Sequence, residues 1–496
     1  MSYGGLDIGT TSVKFVIYDE NGRMLSMVQS GYGNNRQIEP DRLSGDQVLC
    51  AALRVIGEAN KRAPKEDPLK AFAVSSFGEA VVPVDKEGND LAQAFLYTAR
   101  EGADELDHIL RQAESYEIQR RTGIRPSVIF PPAKINWYKT HTRVFDRVWK
   151  FLQFEDYLIY HLTGNTLISL SLASRSMALD LSRGEWSDYV LQAAGISEAL
   201  LSKPVPSGTF AGFIRHDIAR KLELPDGVKV YTGGHDQMCG MIGAGAISPG
   251  TAANASGTVE CISAMLPDSA HRDSLLQNNV YVSAGTTRNS YFTFVGTPAG
   301  CAILDWYKSL LNVPVDSHAP YSWLENECSG RPSPVTVLPF MAGRGTPRRN
   351  INATGAFLGL KLTTSRSDIW QAIMEALAFE MRIVMDLFTE AGIHIDRICA
   401  IGGGAKSDLW LQLKADIYHR PVERMRSEQV TALGCALIAA VADGAFASLD
   451  EAANRCVRQE RVFEPCQENA ARFDEKFGHY LQIWNEHSKG AQSKCL

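Results

Sequence analysis

The 496-residue chain has no uninterrupted apolar run longer than eight residues, the longest being 435–442. A helix that crosses a bilayer needs about 20, so no spanning segment is expected. The first 14 residues carry Asp7 where a secretory leader would need an apolar core, and a cytoplasmic protein is expected. An excess of charge of one sign is also missing. Lys and Arg number 50 against 56 Asp and Glu, a net −6. That is too mild for a surface built to hold nucleic acid or an anionic membrane, and neither partner is expected. The ten cysteines contain no Cys-x-x-Cys pair. Zinc-ligand spacing and dithiol chemistry are therefore absent, and reduced, buried thiols are expected. The terminal Cys495 is misplaced for prenylation. No Gly-x-x-x-x-Gly-Lys-Ser/Thr occurs, which excludes a Walker-type phosphate loop.

What is present is α/β patterning without low complexity. The opening reads as strand, Gly9-Thr10-Thr11 turn, strand, Asn21-Gly22 turn and a third strand over 23–29. Ser44 and Asp46 open a helix through Val48, Ala51, Ala52, Val55 and Ile56, and a strand follows at 71–75. Residues 101–210 look more helical and rich in aromatics. From 228 the strand signal returns and ends in Gly233-Gly234-His235-Asp236-Gln237. A small-residue stretch to Gly250 then leads into a second strand–turn–strand, 252–255, Ser256-Gly257-Thr258 and 259–264. Two domains, 1–245 and 246–496, are expected. Farther on, Ser367 and Asp368 cap a long amphipathic helix that stops at Gly392. A strand at 397–401, the run Gly402-Gly403-Gly404, and helices at 408–417 and 428–443 complete the second half, with a short strand between the helices.

Several of these segments carry chemistry. Gly9 allows a tight turn beside a ligand. Thr10 and Thr11 offer hydroxyls and N–H groups to a phosphate, and Lys14 offers a point charge. Asp7 can hold Mg²⁺, which prefers few carboxylates together with water and phosphate oxygens. Ser256-Gly257-Thr258 repeats the turn in the second half, and two such turns facing each other would clamp phosphates from both sides. Gly402-Gly403-Gly404 follows a strand and opens a helix, so a flat group can approach the backbone near a helix N-terminus. Asp236 stands at a strand end behind two glycines, where a carboxylate can accept a hydroxyl proton as that hydroxyl attacks phosphorus. His235 is its competitor as base.

In this order, the motifs resemble the FGGY family of carbohydrate kinases, in the actin/hexokinase/heat-shock-ATPase superfamily. The resemblance covers nearly the whole chain. Residues 6–14 are similar to the family's first phosphate motif, and 131–137 loosely to its first signature. Gly343-Arg344-Gly345-Thr346-Pro347 stands where the family has Gly-Glu-Arg-Thr-Pro. Residues 355–360 with 368–375 match the second signature, and 402–407 with 428–434 match the adenosine-side region. The implied fold is two actin/ribonuclease-H-like domains with a cleft between them. The implied activity is transfer of the γ-phosphate of ATP to a hydroxyl of a ketose or polyol, with Mg²⁺ on the phosphates.

The resemblance also implies roles. Asp236 is the base, and Asp7 and Asp236 bear on the metal. Thr10, Thr11 and Lys14 hold the transferred phosphate. Thr258, Gly296, Gly402, Gly403, Gly404 and Ser407 line the nucleotide. Phe77, Gly78, Glu79, Tyr97, Arg100 and Gln237 line the sugar. A homodimer is a family-level expectation. The sugar segments depart from better-known branches: 75–80 lacks the Gln-Met-His of xylulose kinases, and Gly78 stands where glycerol kinases place arginine. Ser-Phe-Gly, Gly-His-Asp and Ser-Gly-Thr-x-Glu lean toward fuculose and rhamnulose kinases. A glutamate in the pocket suits hydroxyls and opposes an anionic sugar unless Arg100 turns inward. The alternative is a catalytically weak, nucleotide-binding regulatory protein on the same fold.

Overall fold

The first turn is closed by the Gly9 N–H, which donates to the Ser12 carbonyl at 3.0 Å. Around it, strand Ser2–Ile8 pairs antiparallel with Ser12–Asp19, which pairs in turn with Met24–Gly31. The computed structural model describes residues 2–33, 40–311 and 322–492, so Cys495 lies outside the described residues. Helix Gly45–Arg62 opens on Ser44, whose hydroxyl accepts the Gln47 N–H, and buries the five apolar residues read from the sequence. It returns the chain to strand Leu69–Ser76, parallel to Ser2–Ile8. Strand Lys229–His235 joins parallel beside that, and Phe210–Phe213 forms the antiparallel edge. The sheet has six strands.

The second half repeats the plan. Gly250–Ser256 and Glu260–Met265 form the hairpin, Tyr291–Thr297 extends it, and Ile395–Ile401 and Val422–Met425 add in parallel. Short edge strands at each end bring this sheet to seven. Each sheet is thus an antiparallel meander of three strands continued by two parallel strands. This is the actin/ribonuclease-H-like pattern expected from the motif order.

Two helix starts differ from the sequence reading. The long helix runs Arg366–Glu390 and is capped by Ser365, not Ser367. Ser365 accepts the Asp368 N–H while Asp368 reaches back to the Ser365 N–H, at 3.1 and 2.8 Å. The reciprocal pair outcompetes a cap two residues later because it satisfies two end donors at once. The last predicted helix begins at Val430, since Gln429 has ψ 51° and stays outside it.

The halves interlock through helices Asp236–Gly243 and Val430–Ala442. A Cβ added at Gly434 would lie 1.9 Å from the Cys239 carbonyl oxygen, and one at Gly243 would lie 1.8 Å from that of Val430. Only glycine allows main chain to meet main chain at this distance. A shared core surrounds the crossing, with Tyr3, Val16, Ala71 and Met238 from one half and Phe292, Leu433 and Leu437 from the other. A second seam joins the helix-rich stretch 101–210 to residues 276–286: Val282 N–H donates to the Gly123 carbonyl, and Ser207 N–H to that of Thr286. The nine described cysteines are free; Cys50 and Cys466 are exposed, contrary to the expectation of burial. No described helix is long and apolar enough to cross a membrane.

Candidate active site

Strand Lys229–His235 delivers Asp236 as the first residue of helix Asp236–Gly243. The strand end is held by a buried carboxylate. Glu155 accepts the Gly233 N–H at 2.9 Å through Oε1, and the N–H and hydroxyl of Ser169 at 2.9 and 2.7 Å through Oε2. Ser171 Oγ accepts the His235 N–H at 3.1 Å. Asp236 Oδ1 accepts the Gln237 N–H at 2.6 Å, and the side chain is 28% accessible. Burial, then the negative charges of Asp7 and Glu79, push its carboxyl up to about 7. Burial also raises Asp7 to about 6, with Lys14 opposing; the two face each other across the first hairpin.

His235 is buried, and burial with the positive charge of Arg175 holds its imidazole well below its usual pKa. The ring stacks on Phe294 of the second domain at 5.1 Å, and its Nε2 lies 3.3 Å from Asp236 Oδ1. An imidazole so depressed is neutral near pH 7 and a weak proton acceptor, whereas a carboxyl near 7 can take up or release a proton there.

Of the residues expected around the sugar, Glu79 lies close enough for its charge to raise Asp236. Gly78 sits against Arg175, where an added Cβ would come within 2.7 Å of the Arg175 Cβ. Phe77 turns into the first core against Phe154, and its N–H donates to the Ile8 carbonyl. Tyr97, 49% exposed, and the exposed Arg100 make no hydrogen bond to Glu79, His235 or Asp236. Buried Lys134 pins their loop by donating to the carbonyls of Ala99 and Glu101, both at 2.7 Å. The inward arginine is instead Arg175, which the sequence reading missed. A single arginine among the apolar residues and serines of 167–179 was the available signal.

On the other side of the cleft, Thr258 is exposed at its turn. The Thr258 and Gly257 carbonyls accept the N–H groups of Gly300 and Cys301 at 2.7 and 2.8 Å. Gly402, with φ +87°, lies against Ser256, where a Cβ would meet the Ser256 oxygen at 2.7 Å. Gly296 sits behind the same turn, Gly403 is open, and Gly404 is wedged between Ser256 and Trp410. Ser407 is buried, and its hydroxyl caps helix Asp408–Tyr418 by accepting the Trp410 N–H. Beneath the turn is an ion pair that sequence reasoning did not single out. Lys414 Nζ donates to Glu260 Oε1 and Ser256 Oγ at 2.6 Å each, with both charged side chains fully buried. Asn254 Nδ2 also donates to that Glu260 oxygen, at 2.8 Å. A lysine on the inner face of a predicted helix was its only trace.

Two such sheets around one acid-bearing strand end define a two-domain kinase fold of the actin/hexokinase kind. Residues 2–243 match the N-terminal domain of the FGGY family of carbohydrate kinases, and residues 252–442 match its C-terminal domain. The chain belongs to that family and is an ATP-dependent carbohydrate kinase. It is 28% identical to a xylulose kinase of Bacillus subtilis over 98% of this chain and 97% of that protein. It is 26% identical to glycerol kinase 2 of Thermotoga maritima over 94% and 95%. The crystal structure of a gluconate kinase from Lactobacillus acidophilus superposes with a TM-score of 0.88 at 21% identity, covering 98% of each chain.

Proposed function

We propose that the protein transfers the γ-phosphate of ATP to a hydroxyl of a neutral ketose or polyol, with Asp236 as general base. The first domain then holds the sugar and the second the nucleotide, and the reading places the enzyme in the cytoplasm. The observation that carries the assignment of the base is the contrast at one strand end. Asp236 is poised near pH 7, beside a histidine held neutral. Xylulose and glycerol kinases among the relatives support an uncharged polyhydroxy acceptor.

In this reading Asp236 takes the proton of the attacking hydroxyl, which needs little other covalent help. Thr10 and Thr11 offer donors to the γ-phosphate, and Lys14 lowers the cost of its charge. Thr258, Gly296 and the turn at Gly402–Gly404 receive the nucleotide. Ser407 acts by capping the helix behind that turn. Asp7 and Asp236 fit a divalent cation: each is raised by burial, and the charge of Asp7 raises Asp236 further, a repulsion that a cation relieves. Mg²⁺ bound there supplies charge neutralisation on the phosphate oxygens. Helix N-termini and local donors suffice for ATP, so the net −6 of the chain is no obstacle.

The test is sugar-dependent ADP release over ketopentoses, 6-deoxyketoses, polyols and aldonates, with the Asp236→Asn variant alongside. Release with one neutral sugar, abolished in the variant, is expected. Release at the wild-type rate in the variant would remove Asp236 as base. ATP binding without release on any sugar would favour the regulatory alternative.

A further inference from the structure

Arg175 lies in a cage contributed by both domains. Its guanidinium carbon is 4.8 Å from the ring centre of Phe294 and 6.0 Å from that of Tyr281, both in the second domain. Phe130 of the first domain is 5.4 Å away. The side chain is 5% exposed. Its Nε and Nη2 both donate to the same oxygen, Glu79 Oε1, at 2.8 and 2.5 Å. Nη1 has no hydrogen-bond partner.

Glu79 itself has φ 72°, a left-handed backbone that non-glycine residues rarely adopt. Its side chain is 11% exposed, and Oε2 accepts no hydrogen bond from a described residue. An ionised carboxylate has about four acceptor sites on two oxygens. Here one oxygen carries a charge-assisted fork, which is short and strong, and a planar guanidinium stacked on aromatic rings has little freedom to let go. The other oxygen is left without a donor, in a side chain near enough to Asp236 for its charge to be felt there.

We propose that Arg175 is a specificity-determining positioning residue: by occupying Glu79 Oε1 it leaves Oε2 as the one acceptor that this carboxylate offers to a sugar hydroxyl. The inference rests on the sugar-kinase reading. A carboxylate free to turn can accept from either of two neighbouring hydroxyls and tolerates inversion at one of them. A carboxylate pinned through one oxygen favours a single configuration. Discrimination of this kind is strong because the wrong epimer leaves a polar group unpaired. Because Phe294 and Tyr281 belong to the second domain, the pinning is complete only when the two halves are together.

The experiment compares wild type, Arg175→Lys and Glu79→Gln on the best sugar and its epimers, measuring kcat and KM for sugar and for ATP. Lysine keeps the charge but cannot form the fork. Arg175→Lys is expected to reduce the preference for the best sugar over its epimers by about tenfold or more, with KM for ATP within about twofold of wild type. Glu79→Gln, which keeps the shape but turns one of the two acceptor atoms into a donor, is expected to weaken the same preference. Active variants with an unchanged epimer preference, or with a loss shared by all sugars and by ATP, would overturn the inference alone. If Arg175→Lys does not fold, an unchanged preference in Glu79→Gln overturns it equally. A wild-type enzyme that releases ADP with no sugar would overturn the kinase reading first, and the inference with it.

Discussion

In the Asp236→Asn variant an amide replaces a carboxyl whose ionisation the folded protein opposes. The folded-state value of about 7 lies about three pH units above the ordinary value of 3.8. Below that ordinary value both folded and unfolded chains are protonated, and the substitution changes little. As pH rises from there toward 7, the unfolded chain ionises and the folded one resists, so wild-type stability falls. Above 7 the loss is complete. At about 1.4 kcal/mol per unit this is ~4 kcal/mol, and ~2 kcal/mol once water at the partly open side chain is allowed for. The amide escapes the loss. Thermal melting without nucleotide, at about pH 5 and about pH 8, reads the difference. With about 2–4 °C per kcal/mol for a cooperative unit of this size, the variant is expected to melt several degrees above wild type at the higher pH. The gap is expected to narrow at the lower pH. An equal gap at both pH values, or a variant that melts below wild type at about pH 8, would refute the electrostatic reasoning.

Three other outcomes follow from the same geometry. Lys14→Ala is expected to lower kcat by about a hundredfold with sugar KM within about twofold; a main effect on sugar KM would remove its phosphate role. Lys414→Met leaves the Glu260 charge buried and unpaired and is expected to cost about 3–5 kcal/mol in denaturant unfolding. Adding Glu260→Leu is expected to recover most of that, and a single variant as stable as wild type would contradict the burial. Gly434→Ala forces a Cβ to within 1.9 Å of a carbonyl and is expected to cost more than about 3 kcal/mol. Gly403→Ala, with nothing within 4 Å, is expected to cost under about 1 kcal/mol, and equal stabilities for the two would refute the close crossing.

The fold was legible where the chain signals locally. Gly9-Thr10-Thr11 and Ser256-Gly257-Thr258 announce their hairpins, and the apolar spacing of Val48 to Ile56 announces a helix. The position of Asp236 just past a strand end was legible because glycines precede it. What escaped was long-range pairing. Glu79 meets Arg175 across 96 positions, and Glu260 meets Lys414 across 154. No periodicity within one segment encodes such a partner. Arg100 was the natural candidate for an inward arginine because it is near in sequence, but exposure leaves its charge in water at no cost. Arg175 tolerates burial because Glu79 and three aromatic rings replace that water. The Ser365–Asp368 cap was missed by two residues, since either serine offers the same hydroxyl and only the reciprocal bond decides between them.

The crossing of Gly243 and Gly434 has a mechanical consequence. A seam made of main chain contains no rotamers that could soften a displacement. Side-chain interfaces yield by small torsional adjustments; two backbones at this distance transmit a tilt or slide directly. The crossing therefore fixes the two helices to each other as a rivet would, so that a tilt of one is passed to the other without first being absorbed by side-chain torsions. The side chains of the shared core and the hydrogen bonds of the second seam add to that hold.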